Sequence, residues 1–331
     1  TAANLILFQP RIARLSRSLA AQRFDPPTSV QELAQGILDL AAILGEKVML
    51  TSKGTASRAY IRPSIPRAFG EFGVPSAAKH RVDSSVAYWN WPYYLPDPER
   101  VYYGEGLRVA VFTDEQRLGK IHAKEARNYG HMGVVSRRAK ELGQDEALLL
   151  GPYRILPRIP SVSEDINLHR RNAKSLDDVL DVVISDGPGE EVAGITRGGE
   201  LWIPPMDVNR LGGTTLKYIE SYVAPKMGIK TYVRPFSLRN IMQGEIATLI
   251  FLGNAARIAP IGDIKVYDSE NNQIASFSLE IDPTARELVD RYEQEVSARV
   301  EPSHVSLLTP VDLESGKKAR KVLDEVYSSW F

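Results

Sequence analysis

His122-Ala123-Lys124-Glu125-Ala126-Arg127-Asn128-Tyr129 lies between a strand pattern at Leu107 to Phe112 and a helical pattern from about Gly130 to Leu142, which Gly143 ends. A lysine at such a junction forms a Schiff base when apolar or cationic neighbours hold its amine neutral. Tyr129 is near enough along the chain to reach the same ligand. The commonplace alternative is a solvated lysine in a polar loop, since lysine is mostly exposed in folded proteins.

Two turns of small residues follow downstream. Leu211-Gly212-Gly213-Thr214-Thr215 runs straight into a helical pattern at Leu216 to Met227. Its small residues admit a close ligand, and free N–H groups with threonine hydroxyls at a helix start suit a phosphate. A threonine cap after a glycine turn explains the same residues without any ligand. Leu252-Gly253-Asn254-Ala255-Ala256 leaves a buried strand at Glu245 to Leu252 in a second such turn, for which tight packing is the alternative. Neither turn continues into Gly-Lys-Ser/Thr, so a nucleotide P-loop is not supported. No Gly-x-Ser-x-Gly occurs, and the five histidines fall at no metal-ligand spacing, so no metal site is expected.

The bulk composition narrows the classes further. The 331 residues allow two domains or one large one, and 43% hydrophobic with 25% charged residues is ordinary for a globular protein. Acidic and basic residues balance at 41 each, which argues against a nucleic-acid binder or a membrane-coating tail. With no cysteine, disulfides, thiolate metal sites and cysteine nucleophiles are excluded. No apolar run approaches the roughly 20 residues of a transmembrane helix. Thr1 to Phe8 has no basic residues ahead of its apolar stretch, unlike a signal peptide. The expectation is a cytoplasmic protein.

Along the chain, Leu5 to Phe8 reads as a strand whose hairpin partner would lie upstream of Thr1. Ser29 and Glu32 form a capping box for a helix to Leu44, with Gly45 as its stop. Arg58 to Arg62 and Val82 to Trp89 read as strands, the latter central in a sheet. Tyr94 to Arg100, with two prolines, reads as a linker. Strands are predicted at Ala147 to Leu150, Leu180 to Ile184, Glu191 to Thr196 and Leu201 to Ile203, with Arg197-Gly198-Gly199-Glu200 as a hairpin turn. Pro152 to Ser175 has no sustained period and reads as an excursion. Lys230 to Arg234, Ile264 to Tyr267 and Ile274 to Leu279 are further strands; Pro283 to Val300 and Gly316 to Trp330 are helical. Alternating strands and helices, with frequent hairpins, predict an α/β or α+β fold rather than a purely parallel sheet.

Lys124 to Gly130 resembles the lysine-to-Asn-Tyr segment of fold-type-IV pyridoxal-phosphate enzymes, especially the branched-chain amino-acid aminotransferases. The similarity continues in order. Phe8 to Leu15 is similar to the family's strand-to-helix segment, and Ala59-Tyr60-Ile61-Arg62-Pro63 to its Tyr-x-Arg-Pro strand. Trp91-Pro92-Tyr93-Tyr94-Leu95 is similar to an aromatic stretch before the interdomain loop. Asp186-Gly187-Pro188-Gly189-Glu190-Glu191 stands where the family has Glu-Gly-x-Gly-Glu-Asn, and Gly198 to Pro205 resembles the hairpin that follows. Leu211 to Thr215 and Gly253 to Pro260 resemble the two phosphate-side turns.

The resemblance implies a two-domain architecture: a small α/β domain at 1–95, an interdomain loop at 96–106, and a larger pseudo-barrel cofactor domain at 107–331 with an insertion near 152–175. In the family, further strands precede the stretch matched by Thr1. It implies pyridoxal 5′-phosphate as cofactor, with Lys124 as the Schiff-base lysine and the proton carrier. Tyr129 would bond the phenolic oxygen, and Arg14, Thr214 and Thr215 the phosphate. Tyr60, Arg62, Trp91 and Ala255 would face the substrate. Two departures stand out: Asp186, or Glu190 after a register shift, replaces the usual Glu opposite the pyridine nitrogen, and Asn254 replaces a phosphate-binding Thr. The implied activity is amino-group transfer between an apolar L-amino acid and a 2-oxo acid in a homodimer. Alternatives are a D-amino-acid or amine transaminase, an aminodeoxychorismate-lyase type, or a catalytically degenerate relative.

Overall fold

The structure, a computed structural model, describes residues 3–49, 58–67, 81–116, 123–155 and 173–328. The chain divides into two compact units, one of Thr1–Tyr94 with Val305–Phe331 and one of Leu95–His304. The last segment thus groups with the first ninety-four residues, where the sequence kept it with the larger domain.

In the first unit, β1 (Ala3–Ile6) pairs antiparallel with Leu308–Val311, from Ala3 opposite Val311 to Ile6 opposite Leu308. Among the described residues, the partner of this strand comes from the far end of the chain. An apolar strand needs any edge that satisfies its N–H and C=O groups, and pattern alone does not say which. Leu7, at φ 52°, turns the chain into the helix Phe8–Ala21.

The helix Val30–Met49 opens on the predicted capping box. The Glu32 N–H donates to Ser29 Oγ at 3.1 Å, and the Ser29 N–H donates to Glu32 Oε2 at 2.8 Å. Gly45 does not stop it. The helix continues through Gly45, where an added Cβ would come within 2.8 Å of Leu313 Cδ2. On the facing helix, Leu313–Ser328, a Cβ at Gly316 would collide with the Ala42 carbonyl. The two glycines let these helices touch backbone to backbone, a packing role that outweighs the helix-ending tendency of glycine.

β2 (Ala59–Ser64) and β3 (Ser85–Asn90) pair antiparallel, with Tyr60 opposite Trp89. Among the described residues this is a two-stranded sheet, so Val82 to Trp89 is not central in a larger one. Phe8, Leu33 and Ile37 form the buried apolar cluster of the unit, with Leu5, Ile12, Leu15, Ile61 and Val86 against it.

The second unit is built on an eight-stranded mixed sheet among the described residues. Its members are β4 (Leu107–Phe112), β5 (Glu146–Ala147), β8 (Glu191–Thr196), β9 (Leu201–Ile203), β10 (Thr231–Val233), β11 (Ile246–Gly253), β12 (Arg257–Tyr267) and β13 (Gln273–Ser278). The order runs β10-β9-β8-β11-β12-β4-β5, with β13 also on β12. β12 pairs parallel with β4 and antiparallel with β11 and β13, which mixes parallel and hairpin pairing as predicted. β6 (Leu150–Arg154) and β7 (Val182–Ile184) form a separate antiparallel pair that brackets the predicted excursion. Most of that excursion, 156–172, lies outside the described residues.

The Gly198–Gly199 hairpin forms as predicted, with Gly199 at φ 73°. The stretch predicted as a linker is partly buried: Leu95, Val101 and Tyr102 belong to the core of this unit, around a π-helical turn at Glu99–Tyr103. A short helix at Leu238–Met242, capped by Ser237 and Asn240, has too few residues to leave a period in the sequence.

Candidate functional site

The helix Arg127–Glu141 starts three residues after Lys124, and its first turn fixes the lysine loop. Asn128 Nδ2 donates to the Ala123 carbonyl at 3.3 Å, clamping the loop across Lys124. Tyr129 is half-buried, and its ring centroid lies 5.1 Å from Lys124 Nζ. An ammonium at that distance is attracted to the ring face. Lys124 itself is exposed. The structure therefore joins Lys124, Asn128 and Tyr129 in one local group, while His122 lies outside the described residues.

A second group forms where β8 begins. β8 pairs with β11 so that Glu191 stands opposite Leu252, which puts the Asp186–Glu191 turn beside the Gly253-Asn254-Ala255 turn at one end of the sheet. Asp186 is buried and forms a bridge to Glu191, and its carbonyl accepts the Leu149 N–H at 2.9 Å. Gly187 donates its N–H to the Glu190 carbonyl at 2.8 Å, closing the turn. Glu190 is also buried, and its Oε2 accepts the Gly189 N–H at 3.0 Å. A Cβ on Gly187 would come within 2.8 Å of that oxygen and 3.1 Å of the Phe251 ring, so this position requires glycine's bareness.

Thr214 and Thr215 open the helix Thr214–Tyr218, which packs on β11; Thr215 is buried and Thr214 partly so. Asn254 is exposed and Ala255 partly buried. The loop ahead of Thr214 is lashed to the Asp186 strand, because the Ser185 hydroxyl donates to the Val208 carbonyl at 2.6 Å. Arg210 donates through Nε to the Pro204 carbonyl at 2.6 Å and through Nη1 to Glu191 Oε1 at 2.5 Å. The Glu191 carboxylate lies against Gly213, where any Cβ would collide with it.

Behind this turn, Tyr218 donates to Glu295 Oε2 at 2.8 Å. Burial, and then the Glu295 carboxylate, push the Tyr218 phenol well above its ordinary value, so it stays a neutral donor. Burial also works against the Glu295 charge. The hydrogen bonds from Ser303, Tyr218 and Arg291 outweigh it and hold that carboxyl below its usual range.

In the first unit, Tyr60, Trp89 and Trp91 form an aromatic cluster with ring centroids 5.1–5.6 Å apart, extended by Tyr94 on Trp91. The Arg62 guanidinium lies 5.6 Å from the Tyr60 and Trp89 rings. Arg14 is in the helix Phe8–Ala21 of the same unit, partly buried. Apart from Arg14, which stands alone in its helix, the candidate residues fall in three groups: Lys124 with Tyr129; Asp186, Glu190, Thr214, Thr215, Asn254 and Ala255; and Tyr60, Arg62 and Trp91.

Sequence reasoning missed Trp89, Glu191 and Arg210 as members of these groups. Period-2 spacing puts Trp89 and Trp91 on one face of an extended chain and was the available signal for the first. The Glu191–Arg210 pair left no signal, since only the register of β8 brings it to Gly213.

No protein-family model matches the chain, and no curated protein matches it in sequence. Solved structures do. The branched-chain aminotransferase of Thermoproteus uzoniensis, solved with norvaline, has a TM-score of 0.65 and 21% identity, over 93% of this chain and 84% of that one. The branched-chain amino acid aminotransferase of Escherichia coli gives the same figures. The enzyme of Thermobaculum terrenum in its PLP form has a TM-score of 0.65 and 18% identity, over 94% of this chain and 84% of that one. Among the described residues no helix is long and apolar enough to cross a membrane, and no cluster of metal-ligating side chains occurs. Through nearly its whole length, the chain has the fold of the branched-chain aminotransferases, fold type IV among pyridoxal-phosphate enzymes.

Proposed function

We propose that this chain is a pyridoxal-phosphate-dependent aminotransferase acting on an apolar, branched-chain-like L-amino acid and a 2-oxo acid. The observation that carries the proposal is the Lys124–Asn128–Tyr129 group, a primary amine held on a clamped loop beside a phenol, in a chain with this fold. The rest of the donor set fits the cofactor chemically. Buried carboxylates at Asp186 and Glu190 suit a protonated ring nitrogen, and the adjoining small-residue turns with Thr214 and Thr215 suit a phosphate.

When bound, the cofactor supplies an aldehyde carbon that takes up amines and a ring that withdraws electrons. Lys124 would hold the cofactor through its amine, and the same amine would carry the proton at the substrate Cα. Tyr129, beside the lysine amine, would donate to the phenolic oxygen. Asp186 or Glu190, both buried, would hold the proton on the ring nitrogen; Glu190 Oε2 accepts the Gly189 N–H at 3.0 Å. Within the second unit Thr214, Thr215 and Asn254 would bind the phosphate and Ala255 would bound the substrate; the family resemblance gives Arg14 the phosphate and Tyr60, Arg62 and Trp91 the substrate. The working form is a homodimer.

The purified protein is expected to be yellow. Borohydride reduction should remove that absorbance, with the modification mapped to Lys124 by peptide analysis. Substrate choice follows from a half-reaction screen of L- and D-amino acids by absorbance, where L-leucine should outrun D-alanine. A colourless protein that takes up no cofactor would refute the proposal.

A further inference from the structure

A cavity of about 600 Å³, within the range of small-molecule sites, opens in the second unit at the middle of β12. Its position follows from the sheet. β11 accompanies β12 only as far as Ile261, and β13 joins at Asp263, opposite Ser278. The pairing with β4 slips at the same place: Ile261 stands opposite Leu107 and Asp263 opposite Arg108, so Gly262 is a bulge. A bulge redirects the side chains beside it. From Arg257 to Gly262 the strand runs roughly 16 Å, which separates the cavity from the Gly253-Asn254-Ala255 turn. The facing wall is the Gly104-Glu105-Gly106 loop, pinned by its carbonyls. Arg286 donates to the Tyr103 carbonyl at 2.8 Å and the Gly104 carbonyl at 3.0 Å, and Arg100 to the Gly106 carbonyl at 2.6 Å. A Cβ on Gly262 would collide with the Glu105 carbonyl, so loop and strand touch through bare backbone.

Both signs of charge line this space. Glu105 and Asp263 supply carboxylates, Arg108 and Arg286 guanidinium groups, and Leu279 and Ile281 an apolar side. Arg108 is already paired with Asp145 at 3.2 Å, and Arg286 with the carbonyls of the loop. A guanidinium still carries N–H donors beyond those contacts. Among the described residues, Glu105 and Asp263 act on Arg108 through space, and no hydrogen bond reaches either carboxylate. The carboxylates repel a simple anion and the arginines a simple cation, whereas a zwitterion matches both. Among the described residues no group of side chains suits a metal ion here or elsewhere.

We propose that this cavity binds a free α-amino acid with an apolar side chain, at a site distinct from the Lys124 group. Asp263 and Glu105 take the ammonium, Arg108 and Arg286 the carboxylate, and Leu279 and Ile281 the side chain. Resting on the function proposed above, the occupant is the reaction's own amino acid, sensed at a second place on the chain. The test is isothermal titration of L-leucine into full-length holoprotein reduced with borohydride, which ties up Lys124 so that amine exchange contributes no heat. L-leucine should saturate the protein. Asp263→Asn removes a charged acceptor and should weaken binding about tenfold. Glu105→Gln, on the more exposed residue, should cause a smaller loss.

Two ligands on the wild type decide the matter even if a variant does not fold. Isocaproate, which lacks the ammonium, and isoamylamine, which lacks the carboxylate, should each bind at least about tenfold more weakly than L-leucine. Absence of saturable L-leucine binding, equal affinity for either analogue, or undiminished affinity in both folded variants overturns the inference and leaves the proposed function intact. Protein that takes up no cofactor overturns the proposed function alone. L-leucine is then titrated without reduction, and the variants and analogues are read in the same way.

Discussion

Glu295→Gln tests how the phosphate-side turn is held from behind. Glu295 is fully buried and its two oxygens accept four hydrogen bonds: Tyr218 Oη at 2.8 Å and the Ser303 N–H at 3.0 Å on Oε2, Ser303 Oγ at 2.5 Å and Arg291 Nε at 2.6 Å on Oε1. The amide of Gln keeps one acceptor and turns the other into a donor aimed at donors. Two bonds to a charged acceptor are lost, at about 1.5–3 kcal/mol each, and Arg291 loses its counter-charge. The expected destabilisation is about 3–5 kcal/mol, as for breaking a buried charged pair.

The effect has a pH signature. The folded Glu295 carboxyl sits below its ordinary value of 4.5, so its contribution is complete above that value and is lost as pH falls through the folded one. The gap between wild type and variant in urea unfolding should therefore be constant at neutral pH and narrow in acid. Because Tyr218 stands one helical turn beyond Thr214, the variant should also release cofactor faster. A neutral-pH loss under about 1 kcal/mol, or a gap that widens in acid, would refute the reasoning.

Gly316→Ala should destabilise the first unit by about 2–3 kcal/mol, because its Cβ meets backbone that has no room to move. Gly45→Ala should cost less, since the flexible end of Leu313 can turn aside, and urea melts of both variants give the order. Asn128→Ala removes the clamp across Lys124 and should lower cofactor retention on gel filtration while shifting the melting midpoint little. Asp181, held low chiefly by its hydrogen bond from Arg239, forms a pair open to solvent in part at both ends, so Arg239→Met should change stability by under about 1 kcal/mol. That small contribution is present above the ordinary carboxyl value and fades as pH falls, which acid-limb melts would show.

The mixed α/β character, the Ser29 capping box, the Gly198–Gly199 hairpin, and strands such as β4, β8 and β9 were legible in the residues. Each depends on neighbours a few positions apart: a side chain that caps its own helix, a glycine that supplies a positive φ, or an apolar period that marks a face. The local group around Lys124 was legible for the same reason, since Asn128 reaches Ala123 and Tyr129 reaches Lys124 within one helical turn.

What the sequence left open was decided by distance along the chain. β1 found its edge at Leu308–Val311. Gly45 became a helix contact because Leu313 and Gly316 lie opposite it. Glu191 met Arg210 and Gly213 only once β8 had paired with β11. Such contacts depend on register and on which surfaces bury each other, and neither is written in a local pattern. Lys124 could therefore be singled out from the sequence, while the Glu191–Arg210 ion pair beside Gly213 became visible only in the folded chain.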